Sequence, residues 1–228
     1  MHFKSTKKMK IGIIIAMDVE HRRMLDVMGG KPEGRIGNND IVLWQCGIGK
    51  VNAAIGTMNL ISKHHPDCII STGLAGGIDY SLKVMDVVVG KQTCYHDVWC
   101  GMGNEKGQVQ GLPTRFDADP HLLQVAQDAG SKTDVNVRIG LMCTGDQFIT
   151  DRQQQAAIKA QFPDGLACEM ESAAIAHTCY LQKVPFLSIR TISDTPGNTD
   201  DHQMQWDEFL QNMTEQSFRF VHQFLEIV

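Results

Sequence analysis

Lys10–Ala16, reading KIGIIIA, is a continuous apolar run dominated by isoleucine, and it constrains the fold more than any other stretch. β-Branched side chains are stiff at their first torsion and favour extended backbone. A run with no polar alternation has no solvent face, so it suits a strand covered on both sides, as in parallel sheets flanked by helices. Comparable runs follow at Ile41–Cys46, Asp67–Thr72, Val84–Val89, Val135–Cys143 and Val184–Ile192. Between them lie helical patterns. Asp18 to Met28 places Met24, Leu25 and Met28 on one face, with Asp18 as a capping residue and Gly29-Gly30 as the stop. Further helices are expected from Lys50 to Ile61, from Pro120 to Ala129, from Asp151, across Ser172–Ala176, and from about Trp206 to the end. Strands alternating with helices make this an α/β chain with a mixed, mostly parallel sheet. The patterned sequence begins at Met9, so residues 1–8 read as a loose extension and 9–228 as one domain. Residues 95–114 are glycine-rich and aperiodic, which marks a long loop of the kind used in function or at interfaces.

Composition narrows the function classes. The 228 residues are 43% hydrophobic and 21% charged with a net charge of −5, and the basic residues are dispersed, so nothing favours nucleic acid. No apolar run approaches the ~18 residues of a membrane span. The basic start MHFKSTKKMK lacks an apolar core, so no signal peptide is expected there. Seven cysteines without a C-x-x-C pair read as reduced thiols of a cytoplasmic protein and give little support to zinc. His21 and His64-His65 read as solvated helix residues.

Three glycine-containing segments follow strand runs: Gly47-x-Gly49, Gly73-x-x-Gly76-Gly77 and Gly145. Each taken alone reads more readily as a plain turn than as a ligand loop. Neither the dinucleotide fingerprint nor a Walker loop is present. The carboxylates carry more information. Glu20 lies one helical turn beyond the first strand, Glu171 opens the small-residue helix, and Asp194 closes a β run that also carries Arg190. Ligand crevices of α/β sheets lie at the carboxyl ends of strands. Three acids gathered there could split a glycosidic bond, one donating a proton to the leaving group, one taking a proton from water, and one steadying the sugar. The plainer reading makes each acid a helix cap or a solvated end. Glu169 and Glu171 stand two residues apart, roughly 200° around a helix, so only one of them faces a pocket unless the helix starts there; Glu169 is then support.

Eight stretches in order then show a resemblance: KIGIIIAMDVE (10–20), GIGKVNAA (47–54), TGLAGG (72–77), YHD (95–97), TGDQFI (144–149), CEMESAAIAH (168–177), SIRTISD (188–194) and WDEF (206–209). From Met9 onward the chain resembles the bacterial 5′-methylthioadenosine/S-adenosylhomocysteine nucleosidases of the nucleoside phosphorylase superfamily. The resemblance implies a single-domain three-layer αβα fold and a cytoplasmic homodimer. It also implies hydrolysis of the N-glycosidic bond to adenine and a thioribose, with no metal or organic cofactor. By position, Asp194 would be the general acid at adenine N7, Glu20 would activate water, and Arg190 would help hold that water and Glu20. Glu171 would bind the ribose hydroxyls and Met170 would pack on the sugar. Phe148 and Ile149 would read the adenine edge, Ser193 would orient Asp194, and Trp206 would lie near base and ribose. Ile48, Ala75 and Gly76 complete the substrate-binding set. Residues 98–114 would reach the neighbouring subunit's 5′-alkylthio pocket.

The chain departs from the family pattern at Leu74, where a serine that helps place the water is usual, and at Ile15, where glycine is usual. The 98–114 stretch also matches poorly. These departures keep an aminodeoxyfutalosine-type or other adenosine nucleosidase as the alternative. A nucleoside phosphorylase fits less well, since an acid at Glu20 repels phosphate. A non-catalytic nucleoside-binding protein would not need all three acids.

Overall fold

The computed structural model describes residues 8–195, 206–210 and 218–228. The expected N-terminal extension, apart from Lys8, lies outside the described residues, as does the middle of the last expected helix. In chain order the strands are β1 (Lys10–Ile15), β2 (Glu33–Ile36), β3 (Asn39–Gln45), β4 (Cys68–Gly77), β5 (Val87–Tyr95), β6 (Phe116–Asp117), β7 (Val137–Thr144), β8 (Gly165–Glu169) and β9 (Phe186–Asp194). The helices are α1 (Asp18–Val27), α2 (Lys50–His64), α3 (Pro120–Gly130), α4 (Arg152–Gln161), α5 (Ser172–Gln182) and, at the carboxyl end, α6 (Arg219–Ile227), with residues 206–210 also helical.

The nine strands form one mixed sheet. Parallel pairs join β1 to β3 and β4, β4 to β9, β5 to β7, and β7 to β8. Antiparallel pairs join β2 to β3, β4 to β8, β5 to β6, and β5 to β9. Antiparallel pairing is therefore more prominent than the apolar runs foretell. The sheet also closes on itself, because β4, β8, β7, β5 and β9 pair in a ring that returns to β4. Closure removes two edges that an open sheet would leave unpaired.

β1 behaves as its composition demands. Ile11, Ile13 and Ile15 enter one apolar cluster with Met24, Phe220 and Phe224, while Ile14 enters another with Leu60, Ala173 and Ile175. Asp119 and Asp151 cap α3 and α4 by accepting two backbone N–H groups each. Asp18 does not cap α1, whose preceding residue is Met17. There Glu20 reaches back to the Met17 N–H, so a functional candidate does the capping. The start of the Val84–Val89 run is a turn, closed by the Lys83 N–H on Asp86. His65 is exposed, whereas His21 and His64 are half-buried, His64 lying edge-on to Trp44 at 5.7 Å.

The largest difference lies at Gly73–Gly77, which continues β4 instead of forming a loop. Its register slips between Ala75 and Gly76, where β9 gains a residue and brings Asp194 opposite Gly76. That slip sets the acid at the end of β9 beside the last residues of β4.

Candidate active site

A cavity of 380 Å³ opens where β1, β4, β8 and β9 end. Ten residues singled out from sequence line it: Glu20, Ile48, Ala75, Gly76, Phe148, Ile149, Met170, Glu171, Asp194 and Trp206. Arg190 and Ser193 lie beneath its floor, each almost fully buried. Ala16, Met17, Gln147 and Cys168 also line it and were not singled out, though all four lie inside the stretches that carry the resemblance. Leu74 joins them, and its backbone does more than its side chain.

Glu20 is 2% exposed. One carboxylate oxygen accepts from the Met17 N–H at 3.0 Å and the other from the Leu74 N–H at 2.8 Å. Burial raises its pKa above the ordinary 4.5, against the pull of the Arg190 charge and these N–H groups. Asp194 ends β9 with its Oδ1 accepting from the Ser193 hydroxyl at 2.7 Å. Glu171 precedes α5, and its Oε1 accepts from the Gly49 N–H at 2.9 Å. Burial raises the Glu171 pKa also, opposed chiefly by Arg190 and assisted by the negative charge of Glu169.

Glu169 has a larger part than helical spacing assigns it. α5 starts only at Ser172, so the two glutamates sit at a strand end, and both are buried. Glu169 Oε2 accepts from the Glu171 and Ser172 N–H groups at 2.9 and 2.7 Å, and the Thr144 hydroxyl donates to Oε1. Arg190 Nη2 lies 2.8 Å from Glu169 Oε2 and 3.7 Å from Glu171 Oε2. The guanidinium also donates to Ser71 Oγ, Ser172 Oγ and the Thr72 carbonyl. A buried cation must be compensated this fully to remain in place. Arg190 thus pairs directly with the glutamates at 169 and 171, and reaches Glu20 as a longer-range charge.

Gly73 explains how these groups fit. Its φ is +145°, and a Cβ there would lie 2.5 Å from Arg190 Nη1 and 2.6 Å from Glu20 Oε1. Only glycine leaves that space. Gly73→Ala is expected to displace both side chains and lower kcat by about 10²-fold, the cost of a misplacement near 1 Å; steady-state kinetics on folded variant protein checks this.

The opposite wall is apolar. Phe148, half exposed, meets Trp206 edge-on at 5.4 Å, beside Ile48, Ile149 and Met170. An apolar slot faces a row of carboxylates, and no Lys, Arg or His is among the described residues lining the cavity. Such a site accepts a flat, uncharged aromatic group on one side and hydroxyl donors on the other.

The model of the phosphorylase superfamily matches this chain across residues 10–226. A 5′-methylthioadenosine/S-adenosylhomocysteine nucleosidase of Haemophilus influenzae is 42% identical over 224 residues, covering 93% of this chain and 96% of that protein. The crystal structure of the enzyme of that name from Neisseria meningitidis, in complex with methylthio-immucillin-A, superposes with a TM-score of 0.89 at 36% identity, covering 96% of this chain and 99% of that one. A native structure of Helicobacter pylori futalosine hydrolase superposes with a TM-score of 0.86 at 25% identity, covering 96% and 98%. The chain belongs to the phosphorylase superfamily and, within it, to the 5′-methylthioadenosine/S-adenosylhomocysteine nucleosidase family.

Proposed function

We propose that this enzyme hydrolyses the N-glycosidic bond of 5′-methylthioadenosine and S-adenosylhomocysteine, releasing adenine and the thioribose. The observation that carries the reading is the pairing of Asp194 and Glu20 in one cavity whose described lining holds no cation. Adenine leaves poorly as an anion, so Asp194 donates a proton to N7 as the C1′–N9 electron pair passes to the base. Water then forms the new C1′–O bond and gives its proton to Glu20. Glu171 accepts from the ribose hydroxyls, Met170 packs on the sugar, and Phe148, Ile149 and Trp206 enclose the base, with Ile48, Ala75 and Gly76 completing the slot. Ser193 orients Asp194, and Arg190 balances the glutamates and, through its charge, Glu20 and the water. A phosphate nucleophile would face Glu20 and find no cation in that lining, which favours water.

Residues 9–228 act as one nucleosidase domain. We read its architecture as three layers, with α2 and α5 packed together on one side and α3 and α6 on the other. We also read the enzyme as a homodimer. Val51, Ile55 and Met58 are exposed at helical spacing on α2, and Trp99 and Met102 on the 98–114 loop are exposed as well; these support a partner surface and a loop that reaches the neighbouring site. The seven free thiols suit the cytoplasm, and no helix among the described residues is long and apolar enough to cross a membrane.

Leu74 in place of the usual serine, together with the structural likeness to a futalosine hydrolase, favours a second reading in which the 5′ substituent is of the aminodeoxyfutalosine type. A panel of 5′-substituted adenosines and inosine, assayed for base release with and without phosphate, separates the readings. Phosphate-independent adenine release with highest kcat/KM on the methylthio and homocysteinyl substrates is expected. Preference for the futalosine-type substrate, or a phosphate requirement, would overturn it.

A further inference from the structure

A second charged cluster stands outside the reacting acids. Lys50, the first residue of α2, places Nζ 2.8 and 2.7 Å from the two carboxylate oxygens of Asp97 and 3.8 Å from Asp146 Oδ2. The Lys50 N–H donates to Asp146 Oδ1 at 2.8 Å, and the Asp146 N–H donates to Asp97 Oδ2 at 2.9 Å. Three segments far apart in sequence are closed into a ring: the start of α2, the end of β5 and the turn after β7. The Lys50 and Asp97 side chains are 22% and 18% exposed, so the pair is shielded well beyond an ordinary surface ion pair. Burial acts to raise the Asp97 carboxyl, but Lys50 and the Asp146 N–H outweigh it and hold the group below the usual range.

Two arms of the ring lead directly into the cavity. The residue before Lys50 is Gly49, whose N–H holds Glu171. The residues after Asp146 are Gln147, Phe148 and Ile149, which line the slot. The turn has no slack on its other side, since the His96 ring lies against Gly145 where a side chain would go, and the His96 N–H is bonded to the Thr144 carbonyl at 2.8 Å.

We propose that Lys50, with Asp97 and Asp146, is a positioning latch that fixes the distance between the base-facing turn and the ribose-facing Glu171. The inference rests on the function proposed above. Lys50 does not line the cavity, so it acts through the turn and through Gly49, not on the substrate. Removing the Lys50 charge alone leaves two carboxylates adjoining, which pushes the turn away from the end of β5, while the Nζ tie to α2 is lost. Removing Asp97 as well relieves that repulsion.

The test compares the full-length enzyme with Lys50→Met, Asp97→Asn, the double variant and Lys50→Arg, reading KM and kcat on 5′-methylthioadenosine and the adenine Kd by calorimetry. Lys50→Met is expected to raise KM and the adenine Kd roughly tenfold, in the middle of the range for coupling within a charged network, with kcat changed less than about threefold. The double variant should recover part of the loss, and Lys50→Arg most of it. The latch is overturned if Lys50→Met shows only a lower melting temperature, if kcat falls at constant KM, or if the double variant is as poor as the sum of the singles. Absence of adenine release by the wild-type enzyme from every nucleoside would sink the functional reading instead, and the calorimetric adenine series would still decide the latch.

Discussion

Asp194→Asn is expected to lower adenine release by about 10²–10⁴-fold, the usual worth of a positioned general acid, while adenine itself binds nearly as before. Asparagine has the same shape as the acid it replaces, and the Ser193 hydroxyl that now donates to Oδ1 at 2.7 Å can donate to the amide oxygen instead. That orientation turns the amide NH₂ toward the base, so a hydrogen bond to N7 survives and a transferable proton does not. The variant therefore separates reading the base from releasing it. Quantifying adenine by absorbance after hydrolysis, alongside calorimetric binding of adenine, gives both numbers. Near-wild-type turnover in folded Asp194→Asn would remove Asp194 from the chemistry. A matching loss of adenine binding would mean that the acid holds the pocket together and does not drive the reaction. Ser193→Ala offers no such separation, because that hydroxyl also lies 3.2 Å from the Ala75 carbonyl and serves the β4–β9 junction.

Much of the candidate site's lining was legible because its residues stand at element boundaries, and boundaries carry chemical signals. β1 announced itself by isoleucines with no polar alternation, and Glu20 followed within one turn. Asp194 was an acid at the end of an apolar run. Closure of the sheet was less visible, since it depends on two antiparallel contacts between segments far apart in the chain, β5 with β9 and β4 with β8, the second only two residue pairs long. Local patterning holds no record of such pairings. The glycines from Gly73 to Gly77 read as a loop because glycine usually ends strands; here they are strand residues kept small so that Arg190, Glu20 and Asp194 can approach. Glu169 was underrated for a related reason. A helical-wheel argument assumes a helix, and the helix begins after both glutamates. The latch residues gave no signal apart from the family motifs, because a lysine and two aspartates are ordinary surface composition until the fold joins them.

Glu20→Gln is expected to reduce turnover by a similar factor, about 10²–10⁴, and pH distinguishes it from Asp194→Asn. Glu20 must be ionised to take a proton from water. Burial holds its pKa above the ordinary 4.5, with Arg190 and the N–H groups of Met17 and Leu74 pulling the other way and losing. The wild-type rate should therefore fall on the acid side at a pH above the normal carboxylate range, and Glu20→Gln should lack that limb. The same shift has a sign for stability. A carboxyl whose folded pKa is raised favours the fold fully below its unfolded pKa, and this contribution disappears as pH rises through the folded value. Ionisation of Glu20, which the proposed mechanism requires, is thus a cost to the fold, and burial raises Glu171 in the same direction. Glu20→Gln should flatten the decline in melting temperature as pH rises above about 4.5, whatever it does to the absolute midpoint. The midpoint itself answers to another effect, because the new amide NH₂ must face either the Met17 or the Leu74 N–H and lose that hydrogen bond. An unchanged acid limb in the residual activity of Glu20→Gln would assign the water-activating role to a different group, and Glu171, also buried with a raised pKa, would be the one to test.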